Sequence, residues 1–523
     1  MADPLTILKQ RSGDDWLVGY DSQEFFALAE RVLVELRSPP NSEALLTILL
    51  ADRNPLTFLA HFIAACAANC CIVLANPDWT KAEWQQVFEL VQPDLVWGEE
   101  AKVEGRRQRA GGRRQKAEGK EAASSQQRSS ASPNPLLPQP PVLTPYILIP
   151  TGGTSGKIRF AVHTWETLMA SVEGFREYFE VEPINSFCVL PLYHVSGLMQ
   201  FMRSFTTGGK LVVLPFKALE AGDRSNLNPE DFFLSLVPTQ LQRLLDGESR
   251  GQKAEGRRQE TQHSTPLPTP DSRLPTPGSS IAWLARFHTV LLGGAPAWSD
   301  LLDRARSQRI RLAPTYGMTE TASQIATLKP DDFLNGQTNA GHVLPHAQII
   351  IRNPSGDILK TDQIGNITIQ AKSLAWGYFP PTPDSRLPTP RSFQPDDLGY
   401  FDANGYLHIV GRQSDKIITG GENVFPAEVE AAIRSTGLVQ DVCVIGISDR
   451  HWGQAITAVY IPISADISPT SIQTALSDTL SKFKRPKHWL AVDRLPRNAQ
   501  GKVNRPQVEA IAKMALPTVL AID

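Results

Sequence analysis

The sequence predicts an α/β protein of at least two domains. Three observations carry that expectation: a length too great for one core, short apolar runs alternating with amphipathic stretches, and a change of texture past Gly411. With 523 residues the chain calls for several domains at roughly 100 to 200 residues each. Hydrophobic residues make up 41% and charged residues 20%, which excludes a wholly disordered or collagen-like polymer. Lys plus Arg total 52 against 54 Asp plus Glu, so no global basic field recruits nucleic acid or anionic lipid. Any anion site must be local. Cys66, Cys70, Cys71, Cys188 and Cys443 lie in apolar stretches without zinc-type spacing, and a reducing cytoplasm is the expected compartment. The first residues lack a basic segment followed by an apolar one, and the apolar stretch near Phe58 to Leu74 is interrupted by His61 and Asn69. Neither a secretory signal nor a membrane span is expected.

In chain order, the first break in the globular texture falls near 101–140, followed by others at 247–279 and 380–392. They share words: QKAEG occurs at 115–119 and 252–256, and TPDSRLPTP at 269–277 and 382–390. Residues 101–120 hold eight Lys or Arg and two Glu, which suggests a nucleic-acid tail as one reading. The segments are poor in aromatic and β-branched residues and rich in Gly, Pro, Ser and Gln, so solvated insertions are the preferred reading. Between them, FHTVLLGG (287–294) reads as a strand entering a glycine turn, WSDLLDRARSQ (298–308) as a helix, and IRLAP (310–314) as the next strand. That strand runs into TYGMTET, expected to be a polar loop at the carboxyl end of a parallel sheet, where ligands gather. Beyond Gly411, VCVIGI and AITAVYIPI read as strands, and PAEVEAAIRS and PTSIQTALSDTLSKF as helices. The expected domains are 1–411 and 412–523. The polar, glycine-containing join GRQSDKIITGGEN is a hinge candidate.

The apolar run YILIP precedes Thr151, Gly152, Gly153, Thr154, Ser155, Gly156 and Lys157. Glycines let backbone N–H groups approach phosphate oxygens, hydroxyls add donors, and a cation offsets the charge. The P-loop pattern fails, because Gly152 and Gly156 enclose three residues and Lys157 is followed by Ile158. Taken alone, the loop also reads as a flexible turn.

Four further segments follow in fixed order: LLGGAP (291–296), TYGMTET (315–321), the stretch 397–421, and PRNAQGK (496–502). The ordered set resembles the adenylate-forming superfamily of acyl-CoA synthetases, nonribosomal adenylation domains and luciferases, over nearly the whole chain outside the insertions. That resemblance implies a large N-terminal α/β domain and a small mobile α+β C-terminal domain. It also implies ATP, Mg2+ and CoA as reactants or cofactors: a carboxylate joins the α-phosphate of ATP, and a thiol then attacks the acyl-AMP. Thr151 to Lys157 would hold the β- and γ-phosphates, with Arg159 where the family usually has Lys. Glu320 would bind magnesium, with Thr319 bonding the α-phosphate. Gly293, Gly294 and Ala295 would lie along the adenine, Tyr316 would stack on it, and Gly317 belongs to the same nucleotide loop. Asp397 and Arg412 would contact the ribose, although Pro395-Asp396 replaces the usual Thr-Gly before that Asp. Lys502 would stabilise the pentacoordinate α-phosphate. The hinge, Gln413 to Asp415, would then bring Gly420 and Gly421 to the acyl-AMP beside CoA.

Within the superfamily, PLYHVSGLMQFMR (191–203) and MTETASQ (318–324) look like the 2-succinylbenzoate-CoA ligases of menaquinone and phylloquinone biosynthesis. His194 would gate the acyl carboxylate, a structural His being the alternative. Arg203, costly to bury unpaired in FMRSF, is expected to attract the succinyl carboxylate, with Ser323 bonding the same substrate. An internal salt bridge is the alternative for Arg203. The partners expected are small molecules, not nucleic acid or membrane. Another aryl- or acyl-CoA synthetase, a carrier-loading adenylation domain and a luciferase-like oxygenase remain alternatives.

Overall fold

Strands that are apolar on every residue need cover on both faces, and in this chain they form the inner members of two mixed sheets packed with helices. The computed structural model describes residues 2–37, 45–99, 101–105, 145–151, 158–224, 227–246, 280–380, 392–420, 422–449, 451–477, 479–497 and 502–516. The first sheet runs, in spatial order, Tyr378–Phe379, Arg159–His163, Ile147–Thr151, Cys71–Leu74, Thr47–Leu50 and Leu95–Trp97. Cys71–Leu74 is buried at every position and parallel to both neighbours. The second sheet runs Leu17–Val18, Leu211–Val213, Asn185–Cys188, Phe232–Leu236, Thr289–Leu292, Leu312–Met318, Ser323–Thr327 and His342–Val343.

The elements that carry the site are β1 (Ile147–Thr151), β2 (Arg159–His163), α1 (Trp165–Phe179), α2 (Val195–Thr206), β3 (Thr289–Leu292), β4 (Leu312–Met318), β5 (Ser323–Thr327), β6 (Tyr378–Phe379), β7 (Asp397–Phe401) and β8 (Leu407–Arg412). Helix α1 starts where the Thr164 side chain accepts the Thr167 N–H, satisfying one of the donors that a helix start leaves open. The parallel β3–β4 pair bears out the expected strand-helix-strand unit, its helix being Ser299–Ser307.

Four sequence expectations are corrected. The strand after Ile310 continues through Thr315, Tyr316 and Gly317 to Met318, because these residues pair antiparallel with β5; only Thr319–Thr321 forms a turn. The helix expected over PTSIQTALSDTLSKF spans only Pro469–Ala475, since Ser-Asp-Thr follows and the Thr479 hydroxyl bonds back to the Leu476 carbonyl. Residues 101–105, placed in an insertion, are helical, and Ala101 packs in the core with Trp84 and Val87. Ser392 pairs with Gln370 in a strand rather than ending an insertion. The remaining insertion residues, 106–140, 247–279 and 381–391, lie outside the described residues.

Ala347–Arg352, Gly365–Ala371, Ser392–Phe393, β7 and β8 form a third, antiparallel sheet in which β7 and β8 are neighbours. Past it, Ile417–Thr419, Glu422–Val424, Val439–Asp449, Gly453–Pro462 and His488–Ala491 form a fourth sheet. Two apolar clusters there draw all their buried members from Ile417 to Leu516. Among the described residues, no helix is long and apolar enough to cross a membrane, and the five cysteines are buried and unbridged.

Candidate active site

The β4–β5 hairpin turns so tightly that a Cβ at Gly317 would overlap the Ser323 carbonyl and crowd the Gln324 backbone. Its turn holds Thr319 and Glu320. Glu320 receives the Tyr378 hydroxyl on Oε1 at 2.5 Å, a bond that reaches from β6 across to the second sheet. Burial first, then the Glu320 charge, raises the Tyr378 pKa, so the phenol remains a donor. The Thr319 carbonyl is held by Nε2 of His163 at 2.7 Å. A carbonyl only accepts, so that nitrogen carries the proton. Nothing in the sequence distinguished Tyr378 or His163: one sits in a GYF stretch and the other at a strand end, like many residues with no role. Replacing Tyr378 with Phe frees the Glu320 carboxylate from its orienting bond. A rise of about tenfold in KM for Mg-ATP is expected, the scale of one hydrogen bond to a charged group. An unchanged KM in steady-state assays would remove this role.

Three of the expected nucleotide residues, Tyr316, Asp397 and Arg412, come together at one carboxylate. Asp397 and Arg412 face each other in the β7–β8 register, and Arg412 Nε lies 3.3 Å from Asp397 Oδ1. The Tyr316 hydroxyl donates to the other oxygen at 2.7 Å, so the ring expected to stack on adenine is anchored by the residue expected to bind ribose. Gly293, Gly294 and Ala295 follow β3, with Gly293 closely approached by the Thr315 hydroxyl. Thr151 ends β1, its hydroxyl bonded to the Arg159 carbonyl at 3.3 Å. Gly152 to Lys157 lie outside the described residues, as does Gly421; Gly420 follows Thr419 with φ +58°.

Lys502, far along the chain, reaches the same centre. As a residue it is exposed, yet the protein around its ammonium, followed by Arg412, draws its pKa below the ordinary lysine value, while Glu320 and Asp397 act to raise it. The segment that joins the two parts of the chain is tied down. Asp396 accepts the Gln413 N–H on its backbone oxygen at 2.8 Å and the Ser414 N–H on its carboxylate at 3.0 Å. Arg505, three residues beyond Lys502, lies 3.5 Å from Asp415 and bonds Glu430 at 2.7 Å.

On the other side of the 319–323 turn lies a cluster of hydrogen-bond donors. Arg203 on α2 is 2% exposed, and its guanidinium sits 4.1 Å from the centre of the Phe175 ring. It donates to the Ser323 hydroxyl at 3.1 Å and to Gln324 Oε1 at 3.0 Å. Among the described residues it has no carboxylate partner, so the alternative of an internal salt bridge is set aside. Burial pushes its pKa down to about 9. Ser323 is held at φ +96° and Ala322 at φ +51°, backbone conformations that non-glycine residues rarely adopt and that gather at functional sites. His194 precedes α2, and its Nε2 is buried without a hydrogen-bond partner among the described residues; burial and then Lys502 hold its pKa down at about 4.

His163 is likewise held near 4 by burial. A histidine neutral in the folded state but titrating near 6.5 when unfolded takes up a proton on unfolding between those values. Its stability contribution is therefore complete above about 6.5 and lost as pH falls towards 4. For fully buried His163 the slope is at most about 1.4 kcal/mol per pH unit. Urea titrations at pH 7 and pH 5 check this: His163→Gln should flatten the pH dependence, and an unaltered slope would mean that the ring titrates normally.

Residues 45–379 match the AMP-binding enzyme model, and 428–502 match the AMP-binding enzyme C-terminal domain. The chain belongs to the AMP-binding enzyme family. A 2-succinylbenzoate–CoA ligase from Geobacillus sp. (strain WCH70) is 31% identical over 69% of this chain and 68% of its own. A ligase of the same name from Enterococcus faecalis is 29% identical over 68% and 67%. In fold, this family member matches the o-succinylbenzoate CoA synthetase from Bacillus subtilis solved with its acyl-adenylate, with a TM-score of 0.73 and 24% identity over 97% and 99% of the two chains.

Proposed function

We propose that this protein is a cytoplasmic ligase that joins 2-succinylbenzoate to coenzyme A at the expense of ATP, a step towards menaquinone or phylloquinone. The observation that carries the substrate assignment is the buried Arg203, which has hydrogen bonds but no anion among the described residues. An uncompensated buried cation is costly unless the ligand brings the charge. A dicarboxylate does so. One carboxylate reacts, and the other stays ionised against Arg203 and Ser323. Free buried cysteines accord with a reducing compartment.

In the first half-reaction a carboxylate oxygen bonds to the α-phosphorus and pyrophosphate leaves; in the second, a thiol sulfur bonds to the acyl carbon and AMP leaves. Two anions meet in the first step, so cations and donors aimed at the developing charge supply most of the catalysis. Lys502 fills that role, beside Thr319. Glu320 offers one carboxylate whose second oxygen is not engaged by Tyr378, and no group of three metal-binding side chains exists among the described residues. Such a sparse donor set suits magnesium, which takes one or two protein carboxylates together with phosphates and water. Bound there, magnesium would neutralise phosphate charge. Asp397 and Arg412 take the ribose, Gly293 to Ala295 and Tyr316 the adenine, and Thr151 to Lys157 the terminal phosphates, the last assigned from sequence alone. We place the domain boundary at Arg412, supported by the separate apolar clusters beyond Ile417. The hinge is Gln413 to Asp415, and Gly420 and Gly421 serve the thiol step. His194 gates the acyl carboxylate, its imidazole neutral beside Lys502.

Incubation with ATP, CoA and a panel of acids tests the reading. 2-Succinylbenzoate alone should yield a CoA thioester and AMP. Equal turnover of benzoate or fatty acids would favour a broader acyl-CoA synthetase, and light or oxygen uptake a luciferase-like reaction.

A further inference from the structure

Beside the helix that carries Arg203's aromatic platform stands a nitrogen base that neither motif nor family resemblance singled out. His346 stands just before the strand Ala347–Arg352, and its ring rests on Gly174 of α1, where a Cβ would overlap Nδ1. The next residue of the helix, Phe175, carries the Arg203 guanidinium on its face. Two consecutive positions of one helix thus seat an imidazole and a guanidinium. The Arg203 charge is felt at His346: after burial, it is the influence that holds the imidazole down at about 4.

A neutral imidazole offers one N–H donor and one acceptor nitrogen. Both ring nitrogens of His346 are buried and have no hydrogen-bond partner among the described residues. Nearby, Arg203 Nε and Gln324 Nε2 are in the same condition, on side chains only 2% and 5% exposed. Leaving several donors unmade is expensive in a protein interior. Among them, these side chains hold one fixed positive charge and a surplus of N–H groups. A planar carboxylate, with about four lone-pair sites and one negative charge, satisfies both at once.

We propose that His346 is a specificity-determining residue, donating one ring N–H to the same substrate carboxylate that Arg203 binds. Its neutrality matters. A second cation there would repel Arg203 in the absence of substrate, whereas a neutral donor adds directional recognition. Gly174 is the accommodating partner, since any side chain there would displace the ring. The inference rests on the reading of Arg203 as a dicarboxylate receptor, and the test separates the two.

The measurement is kcat/KM on 2-succinylbenzoate relative to a monocarboxylate with the same skeleton. Of 4-oxo-4-phenylbutyrate and 2-butyrylbenzoate, the reference is the one the wild-type enzyme turns over. His346→Leu should lower kcat/KM on the dicarboxylate by about tenfold to a hundredfold more than on the reference, mainly through KM. His346→Asn, which keeps an N–H donor, should recover part of that difference. Equal losses on both acids would assign His346 to packing against Gly174 and overturn the inference, provided Arg203→Ala still discriminates between them. If Arg203→Ala fails to discriminate, the receptor reading itself falls. Should His346→Leu not fold, ring-15N histidine spectra of the wild type decide: substrate must shift the His346 nitrogens, and the monocarboxylate must not.

Discussion

Lys502→Ala is expected to slow adenylation by two to three decades or more while leaving thioester formation from supplied acyl-AMP nearly intact. The magnitude is that of deleting one transition-state donor, about 2.7 to 4 kcal/mol. The asymmetry follows from where the charge is needed. Negative charge builds on the α-phosphate only while pyrophosphate departs, and Lys502 is sited near the Glu320, Asp397 and Arg412 charges that define that locus. The surrounding protein, then Arg412, draws its pKa below the ordinary lysine value, although the residue is exposed. Acid-dependent pyrophosphate exchange reads the first half alone, and CoA-dependent AMP release from synthetic acyl-AMP reads the second. Parallel losses, or none, would refute the assignment of Lys502 to one half-reaction.

Arg203→Ala should cost roughly two decades or more of kcat/KM on 2-succinylbenzoate and far less on the monocarboxylate reference. Removing one partner of a buried charge pair leaves the other without compensation. The same logic gives a stability signature. With no anionic partner for Arg203 among the described residues, Arg203→Met should raise the melting temperature of the substrate-free protein while abolishing its preference, since buried charge replaced by apolar volume is often stabilising. Substrate should raise the wild-type melting temperature more than that of the variant. Equal activity losses on both acids would show that Arg203 supports the helix instead of the substrate.

Much of this arrangement was legible in the residues. The strand-helix-strand unit over 287–314 followed from period and glycine punctuation, and Glu320, Asp397, Arg412 and Lys502 stood out because motifs so widely spaced occurred in one order. The sequence did not show that the β4 strand runs on to Met318: polar residues there belong to a strand only because β5 folds back on them. Tyr378, His163 and His346 were missed for a related reason. Each acts through a partner more than fifty residues away or through a helix seat, and local spacing carries no trace of such contacts. Ser323 was expected at the substrate, but its left-handed backbone, which places the hydroxyl against Arg203, is a tertiary fact. The short helix at Pro469–Ala475 shows the converse, a local preference of Ser and Thr overriding an extended amphipathic pattern.

The most direct measurement is exchange of labelled pyrophosphate into ATP by the wild-type protein in the absence of CoA, with magnesium present. The account predicts exchange that requires 2-succinylbenzoate and is weak with either monocarboxylate analogue. Exchange that proceeds without acid, or equally with all three acids, would contradict it.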